Sequence, residues 1–371
     1  MRLALRLARR GYGTTSPNPM VGAVLVKGGR MIGRGWHRRA GGPHAEIEAL
    51  RDAQARGANA QGATLYVTLE PCCTQGRTPP CTDAIVAAGI KRIVVGAVDP
   101  NPRHRGRAFR ILRRAGIAVT QGVLADECAR LNEAFNHWII HGTPLVTVKA
   151  GMTLDGKIAT AVGESRWITG AKARAYGMRL RQGADAILVG INTVLADDPS
   201  LTVRRSESGI GGPWSGVRDH QLRRIVLDAK GRTPLDAKVV RDEHRAWTMV
   251  VVNRSAPGRR VAALARRVRV LVAPGAGRKI NLPWLLRQLG SEKVTSLLVE
   301  GGGEVNGSFL FEGLAQRVAF FYAPMVLGGH DSRRAVADPG ASTLAESLRL
   351  TDLEWRRLGP DWLLRARVVP R

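Results

Sequence analysis

The stretch TLEPCCTQGRTPPC, residues 68–81, contains three of the four cysteines of this 371-residue chain. Four cysteines are too few for a disulfide scaffold in a chain of this length, and their clustering favours metal binding or catalysis in a reducing compartment. Just upstream, the segment PHAEIEAL starts a helical pattern directly after Pro43 and contains His44 and Glu46. The two segments together predict a metal site.

The predicted metal is zinc. A zinc site that performs chemistry needs three protein ligands and one open position for water, and His44, Cys72 and Cys81 supply that number. Two thiolates and a neutral imidazole balance the charge of the ion. Glu46 is the nearby carboxylate expected to act as general acid and base. We therefore expect one zinc per chain; an inert structural zinc is the alternative interpretation.

The spacing of His44 and Glu46 restricts their geometry, because residues two apart on a regular helix differ by about 200° around its axis. Both can face one metal only if His44 lies at the N-terminus of the helix, which Pro43 allows. Each of the two predicted cysteine ligands follows proline, so each is expected in the first turn of a helix, where the backbone dipole favours a thiolate.

The other two cysteines are predicted to be structural. Cys73 is adjacent to a ligand, and such a side chain usually points elsewhere, so we expect a small buried residue there. Cys128, in LADECARLNEAF, is expected on the core face of a helix.

Length and composition predict a two-domain protein that works in the cytoplasm. A chain of 371 residues exceeds what one hydrophobic core usually serves. No apolar run approaches the roughly 18 residues of a membrane span, and the start MRLALRLARRGYG contains no apolar signal core. We therefore expect no membrane partner.

The net charge of +27 is also compatible with nucleic-acid binding. The arginines are scattered through every segment with few aromatic residues beside them, whereas nucleic-acid grooves interleave cations with stacking platforms. A solvated, arginine-rich surface is the preferred interpretation, and we expect no nucleic-acid partner. The same positive charge attracts phosphorylated substrates and anionic cofactors.

Strand-like and helical patterns alternate along the chain, which indicates a layered α/β architecture. The predicted strands lie in VGAVLV, ATLYVTLE, KRIVVGAVDP, VTVKAG, DAILVG, RRIVLD, TMVVVN, VRVLVA, SLLVEGGG and RVAFFYAPMVLGG. A break occurs at HGTPLV, residues 141–146, where Gly142 and Pro144 interrupt a helical stretch. The predicted domains are therefore residues 1–143 and 144–371. The glycine-rich, charged excursion at 206–221 is predicted to be a surface loop.

Two sets of motifs carry a resemblance to a known family. His-Ala-Glu followed by Pro-Cys and a second cysteine is typical of zinc nucleobase deaminases. The eight residues between Cys72 and Cys81, together with TSPNPMVGAVLV, resemble the deaminase half of the bifunctional riboflavin biosynthesis deaminase and reductase family. KAGMTLDGKIA, GESRWITG, VLADDPSLTVR and VEGGGEVNGSFL resemble, in order, segments of the reductase half.

The resemblance implies a cytidine-deaminase-like α/β/α domain followed by a dihydrofolate-reductase-like α/β domain. It implies hydrolytic deamination of the phosphoribosylated pyrimidine 2,5-diamino-6-(5-phosphoribosylamino)pyrimidin-4(3H)-one, with zinc as cofactor. NADPH would then reduce the ribosyl chain to give 5-amino-6-(5-phosphoribitylamino)uracil. Homo-oligomer formation is left open.

The resemblance also implies the site residues of the second half. NADPH would contact Gly151, Trp167, Thr193, Asp197, Gly302, Gly303, Glu304, Val305, Asn306, Gly307 and Ser308. The substrate would contact Lys149, Ser165, Arg181, Leu201, Arg204 and Glu300.

The residues alone support part of this assignment. Three glycines at 301–303 follow the apolar segment SLLVE and allow close approach of phosphates to a helix start. Asn306 occupies the last glycine position of the dinucleotide fingerprint, which disfavours a Rossmann fold. Thr74 and Gln75 stand where many family members have histidine, and Ala229 where they often have serine.

Two other function classes remain as alternatives. A nucleic-acid-editing zinc deaminase would share the zinc motif but leave the second half without a role. A non-enzymatic, zinc-stabilised binding module would release no ammonia from any pyrimidine.

Overall fold

The computed structural model describes residues 1–75, 79–204, 222–275, 277, 279–337 and 339–370. The chain divides into two compact units, residues 1–142 and the described residues from Thr143 onward. The predicted surface loop at 206–221 lies outside the described residues. Across the described ranges, no helix has the length and apolar character that crossing a membrane requires.

The first unit alternates strands and helices. Its elements are α1 (Arg2–Ala8), β1 (Gly22–Lys27), β2 (Arg30–Trp36), α2 (Ala45–Ala55), β3 (Thr64–Leu69), α3 (Cys81–Ala87), β4 (Arg92–Ala97), α4 (Arg107–Arg114), β5 (Ala118–Thr120), α5 (Ala125–Leu131) and α6 (Glu133–His141). The strands form one sheet in the order β2-β1-β3-β4-β5. β3, β4 and β5 run parallel, whereas β1 is antiparallel to both of its neighbours.

Helix α2 lies unusually close to strand β2 because two glycines face it. A Cβ atom on Gly33 would collide with the carbonyl oxygen of Ala49, and one on Gly35 would collide with the amide nitrogen of Ala49. Glycine is therefore required at both positions for this close approach. The alanines of α2 that pack here, Ala45, Ala49 and Ala53, are buried. This packing fixes the N-terminal end of α2, where His44 lies.

The second unit begins after Gly142, whose φ of +68° ends α6. Its elements are β6 (Leu145–Thr153), β7 (Lys157–Ala159), α7 (Ala171–Gln182), β8 (Ala186–Gly190), α8 (Ile191–Asp197), β9 (Arg223–Leu227), α9 (Lys238–Arg241), β10 (Thr248–Asn253), α10 (Gly258–Ala265), β11 (Arg269–Ala273), α11 (Leu282–Ser291), β12 (Ser296–Val299), α12 (Gly303–Phe311), β13 (Arg317–Ala323), β14 (Arg333–Arg334), β15 (Leu350–Leu358) and β16 (Asp361–Val368).

The main sheet of this unit has the strand order β11-β10-β9-β8-β12-β6-β13-β16-β15, and β14 pairs separately with β7. The strands from β11 to β13 run parallel, and β16 and β15 continue the sheet antiparallel. Ligands of such sheets bind in the crevice beyond the carboxyl ends of the parallel strands. The segments after β8, β9 and β12 all end at that edge.

The predicted α/β alternation is confirmed. The strands expected in VGAVLV, ATLYVTLE, KRIVVGAVDP, DAILVG, RRIVLD, TMVVVN, VRVLVA and SLLVEGGG correspond to β1, β3, β4, β8, β9, β10, β11 and β12. The strand expected in RVAFFYAPMVLGG ends earlier, at Ala323. The strand expected in VTVKAG corresponds to β6. Strands β2, β5, β7, β14, β15 and β16 were not predicted.

Candidate functional site

The predicted zinc ligands lie together in the first unit. Nδ1 of His44 is 3.4 Å from Sγ of Cys72 and 3.3 Å from Sγ of Cys81. The three ligand atoms all lie within 4.8 Å of one another. Zinc bonds of about 2.0 Å to nitrogen and 2.3 Å to sulfur, arranged tetrahedrally, put ligand atoms roughly 3.5 Å apart. The donor set and its spacing therefore fit a zinc ion.

Three different backbone settings position these ligands. His44 is the N-cap of α2 with extended backbone, in agreement with the expectation that it precedes the helix. Cys81 is the first residue of α3, as expected. Cys72 instead lies in irregular backbone after β3, so its predicted place in a helical turn is wrong. The helix start still faces this thiol, because the backbone N–H of Cys81 donates to Sγ of Cys72 at 3.3 Å.

The electrostatics of the cluster favour a thiolate. Hydrogen bonds from Cys81 and His44 outweigh the effect of burial and lower the pKa of Cys72 to about 4. The hydrogen bond with Cys72, together with burial, raises the pKa of Cys81. Binding of a divalent cation requires both sulfurs as thiolates and therefore releases protons.

Glu46 is the second residue of α2 and lies beside the ligand cluster. Its side chain is buried, with 3% of the residue exposed. Burial, together with the charge of Cys72, raises the pKa of Glu46 to about 7. A carboxylate in such a setting can accept and return a proton near neutral pH.

Two residues beside the cluster were missed by the sequence analysis. The ring of His37 contacts the ring of His44 edge-on, with 5.4 Å between centroids. Nδ1 of His37 is 3.0 Å from the carbonyl oxygen of Pro43, and Nε2 is 3.2 Å from Nδ2 of Asn18. A proton on Nδ1 satisfies both contacts, because Nε2 then accepts from the Asn18 amide. Burial lowers the pKa of His37, which favours this neutral form.

The backbone before Cys72 is held by Glu70. Its buried carboxylate accepts hydrogen bonds from the backbone N–H groups of Asp99, Gly106 and Ala108, at 3.0–3.1 Å. These bonds fix the segment after β4 against the turn that carries Cys72. Local sequence contained no signal for this role.

The remaining two cysteines differ from each other. Cys128 is 1% exposed and packs in the core against Gly96, which confirms its predicted structural role. Cys73 is half-buried rather than buried, and its Sγ lies 3.9 Å from Nδ1 of His104. It is not part of the three-residue cluster.

A second site lies in the second unit, where Glu300 follows β12. Arg181 donates to its carboxylate through Nε and Nη2, both at 2.9 Å, and Nζ of Lys149 lies 3.4 Å away. Burial acts to raise the pKa of Glu300, but the charges of Arg181 and Lys149 outweigh it and lower the pKa to about 2. Arg181 also donates to the carbonyl of Thr202 at 3.1 Å, which ties the cluster to the loop after α8.

A cavity of about 770 Å³ lies at the carboxyl edge of the same sheet. Gly302 is the N-cap of α12, and a Cβ atom there would meet no other atom within 4 Å, so the backbone is open to a ligand. The helix start is therefore accessible to phosphate. The structure brings these predicted residues to the cavity wall: Ser165, Thr193, Asp197, Gly302, Gly303, Glu304, Val305 and Ser308.

Two residues of the predicted glycine-rich loop do not line this cavity. Asn306 and Gly307 are buried on the inner face of α12, because helical periodicity turns them away from Gly302. The amide of Asn306 donates to the carbonyl of Ala335 at 2.8 Å. Their predicted contact with NADPH stays a prediction.

Four further predicted residues also lie off the cavity wall. Leu201 is 2% exposed and packs in the core, so its side chain cannot meet a ligand. Trp167 is 66% exposed and stacks with Arg174, whose Cζ is 4.5 Å from the ring centroid. Gly151 is paired within β6 and β13, and Arg204 is the last residue described before 222.

Comparison with known proteins decides the family. Residues 144–364 match the RibD C-terminal domain, and residues 1–97 match the cytidine and deoxycytidylate deaminase zinc-binding region. The chain belongs to the RibD family.

Curated and solved RibD proteins match along nearly the whole chain. The riboflavin biosynthesis protein RibD of Aquifex aeolicus is 43% identical over 98% of this chain and 96% of its own length. The RibD protein of Escherichia coli K12 is 41% identical over 97% of this chain and 96% of its own length. The structure of Acinetobacter baumannii RibD superposes with a TM-score of 0.84 at 38% identity, covering 99% of this chain and 97% of that one. The structure of a Thermotoga maritima deaminase/reductase superposes with a TM-score of 0.82 at 35% identity. The match covers 100% of this chain and 97% of that one.

Membership in the RibD family confirms the predicted function class and fold. The chain is a bifunctional riboflavin biosynthesis enzyme with a zinc-binding, cytidine-deaminase-like domain and a dihydrofolate-reductase-like domain that uses NADPH. RibD enzymes act on a phosphoribosylated pyrimidine. The match extends through the reductase half, so neither a nucleic-acid-editing deaminase nor a non-enzymatic binding module describes the chain.

Proposed function

We propose that residues 1–143 carry the deamination and residues 144–371 the reduction. The observation that carries the first assignment is the cluster of His44, Cys72 and Cys81 beside the buried carboxylate of Glu46. The cavity at the start of α12 and the ionic cluster around Glu300 support the second. Cytoplasmic location is part of the same proposal, supported by four free cysteines.

In the deaminase site, His44, Cys72 and Cys81 would hold the zinc, which when bound supplies Lewis-acid activation of water. Glu46 takes one proton of that water and delivers it to a nitrogen of the pyrimidine ring. It then takes the second proton from the hydroxyl added to the ring carbon and gives it to the amine, which leaves as ammonia. Asn18, whose side-chain amide is held by His37, lies beside the same cluster and is proposed to orient the polar edge of the ring. Burial of Glu46 keeps its carboxyl group away from bulk solvent.

In the reductase site, the start of α12 is proposed to bind the pyrophosphate of NADPH, which supplies the hydride. Ser165, Thr193 and Asp197 line the same cavity and are proposed to contact the cofactor or substrate. Arg181 and Lys149 provide cations for the substrate next to Glu300. The main chain of Leu201 is proposed to contact the substrate, since its side chain is buried.

The ligand assignment predicts which cysteines retain the metal. Purified protein is expected to contain about one zinc per chain. The variants Cys72→Ser and Cys81→Ser should lose the zinc, because each retains only two of the three protein ligands. Cys73→Ser is the matched control and should retain zinc, since Cys73 lies outside the cluster. Elemental analysis after gel filtration measures this. Zinc loss in Cys73→Ser together with zinc retention in Cys81→Ser would refute the assignment.

The assignment of deamination and reduction to different parts of the chain predicts that the two activities can be separated. Chelation of zinc should stop ammonia release but leave NADPH oxidation intact when the deaminated phosphoribosylaminouracil is supplied, because hydride transfer needs position and electrostatics rather than a metal. Cofactor absorbance at fixed protein concentration reports the second activity. If chelation abolished it while circular dichroism showed intact folding, a shared metal centre would have to replace the two-site account.

A further inference from the structure

The loop that carries Asn18 ends at strand β1, and its last residues are held by buried side chains. Oδ1 of Asn132 accepts from the backbone N–H of Met20 at 2.7 Å, and Nδ2 of Asn132 donates to the carbonyl of Met20 at 2.9 Å. One amide thus satisfies both backbone groups of Met20, as a residue of a neighbouring strand would. Asn132 is 4% exposed, so loss of this amide would leave two poorly hydrated backbone groups.

The second buried side chain is Thr68 of β3, which is 0% exposed. Its hydroxyl accepts from the backbone N–H of Gly22, the first residue of β1, at 3.1 Å. A Cβ atom on Gly22 would collide with the carbonyl oxygen of Ala4, so α1 packs directly against this backbone. Residues 20 and 22 are therefore both fixed to the core of the first unit.

The direction of the Asn132 side chain is not explained by helix capping. Asn132 lies between α5 and α6 and is the N-cap of α6. Asn is favoured at this position because its side chain can accept a backbone N–H of the first helical turn. Within the described helix α6, however, the side chain makes no such bond, and its amide is directed to Met20. Its hydrogen bonds hold the loop rather than the helix.

The fixed main chain of Met20 is transmitted to Asn18 through a short, stiff connection. Only Pro19 lies between the two residues, and a proline ring restricts φ to about −65°. The backbone N–H of Asn18 also donates to the carbonyl of the buried Thr15 at 2.8 Å, which closes a turn. Nδ2 of Asn18 lies 3.2 Å from Nε2 of His37. Asn18 is thus held through its main chain and through its side chain.

The half-buried amide of Asn18 can serve a pyrimidine ring only if its place is fixed. One N–H is directed at His37, and the other N–H and Oδ1 are the groups that can bond a polar ring edge. Hydrogen bonds weaken steeply when their angle departs from linear. Misplacement of a positioning group by about 1 Å can cost about 100-fold in rate. The residues that fix the main chain here therefore matter for the reaction.

We propose that Asn132 and Thr68 are positioning residues of the deaminase, which fix residues 20–22 and thereby hold Asn18 against the pyrimidine ring. This inference rests on the proposed function of the first unit and on the role proposed there for Asn18. Neither of the two side chains touches the substrate, because both are buried against the backbone that they hold.

A double-mutant cycle with Asn18 separates positioning from a general structural role. Asn18→Ala and Asn132→Leu are each expected to lower kcat/KM for ammonia release about 10- to 100-fold. The double variant should fall at most about threefold below the less active single variant, because a displaced loop has no amide left to misplace. Zinc content should stay at the wild-type value in all three, since neither residue belongs to the ligand cluster.

Asn136→Leu is the matched control on α6. Its side-chain amide donates to the carbonyl of Ala129 at 3.1 Å, a bond within the two helices, so kcat/KM should change by less than about twofold. Thr68→Val removes only the bond from Gly22 and suits a strand, so it tests the proposal even if Asn132→Leu does not fold. It should lower kcat/KM about 3- to 10-fold in the wild-type background and leave Asn18→Ala unchanged.

Wild-type kcat/KM in folded, zinc-loaded Asn132→Leu or Thr68→Val would overturn the proposal. Losses that multiply in the double variants would also overturn it, because the two residues would then act apart from Asn18. Wild-type kcat/KM in Asn18→Ala would refute the ring contact and the inference, but it would leave the deaminase function intact. Zinc-loaded wild-type protein that releases no ammonia would refute the deaminase function and the inference together.

Discussion

Replacement of Glu46 by Gln is expected to reduce ammonia release from the diaminopyrimidine by about 100- to 10,000-fold, the range typical of a lost general acid and base. Gln has nearly the same shape and hydrogen-bonds, but it cannot accept and return a proton. Because Glu46 is not one of the clustered ligands, the variant should retain zinc. Single-turnover ammonia release and metal analysis on the same preparation measure both effects.

Glu48→Gln is the matched control for this variant. Glu48 lies on the same helix but pairs with the exposed Arg38 at 2.9 Å. Loss of an exposed ion pair costs at most about 1 kcal/mol of stability, and ammonia release should stay near the wild-type rate. Near-normal ammonia release by Glu46→Gln would remove Glu46 from the mechanism.

Asp242→Asn is expected to lower the free energy of unfolding of the second unit by about 3 kcal/mol or more, the range measured when a buried ion pair loses one partner. Arg224 is 0% exposed, and its guanidinium binds Asp242 with two bonds of 2.6 and 2.7 Å. The variant preserves the shape of Asp242 but leaves the arginine charge buried and uncompensated. Urea unfolding followed by Trp fluorescence measures the loss.

The same substitution should also weaken substrate binding by the reductase. Arg224 donates to the carbonyl of Ser200 at 2.9 Å, and Arg181 donates to that of Thr202 at 3.1 Å, so the two arginines hold the backbone on both sides of Leu201. Asp236→Asn, at an exposed position, should change stability by less than about 0.5 kcal/mol. Equal stability of the two variants would show that the buried pair contributes nothing.

The zinc site could be predicted from sequence because its residues lie in short, local motifs. His-Ala-Glu fixes His44 and Glu46 relative to one helix start, and the proline-flanked cysteines follow in one stretch. The prediction that Cys72 lies in the first turn of a helix was wrong, because a proline before a cysteine is also compatible with irregular backbone after a strand. Asn18 and His37 were missed because only the folded chain brings them beside His44, from positions that no local pattern connects to the metal.

In the second unit, patterns identified the strands of the parallel part of the sheet but not the antiparallel pair of β15 and β16. Strand β15 is exposed along nearly its whole length, so it lacks the two-residue alternation that predicts a half-buried strand. Motif matching placed Asn306 in the glycine-rich loop, but it did not show that helix periodicity buries this side chain.

The central claim is that one chain performs deamination and then reduction at two separate sites. The most direct measurement supplies full-length protein with 2,5-diamino-6-(5-phosphoribosylamino)pyrimidin-4(3H)-one and follows ammonia and NADPH absorbance together. We predict that ammonia appears at the same initial rate with or without NADPH, and that NADPH oxidation follows after a lag and never exceeds the ammonia released. Oxidation of NADPH without prior ammonia release, or absence of ammonia from zinc-loaded protein, would contradict this account.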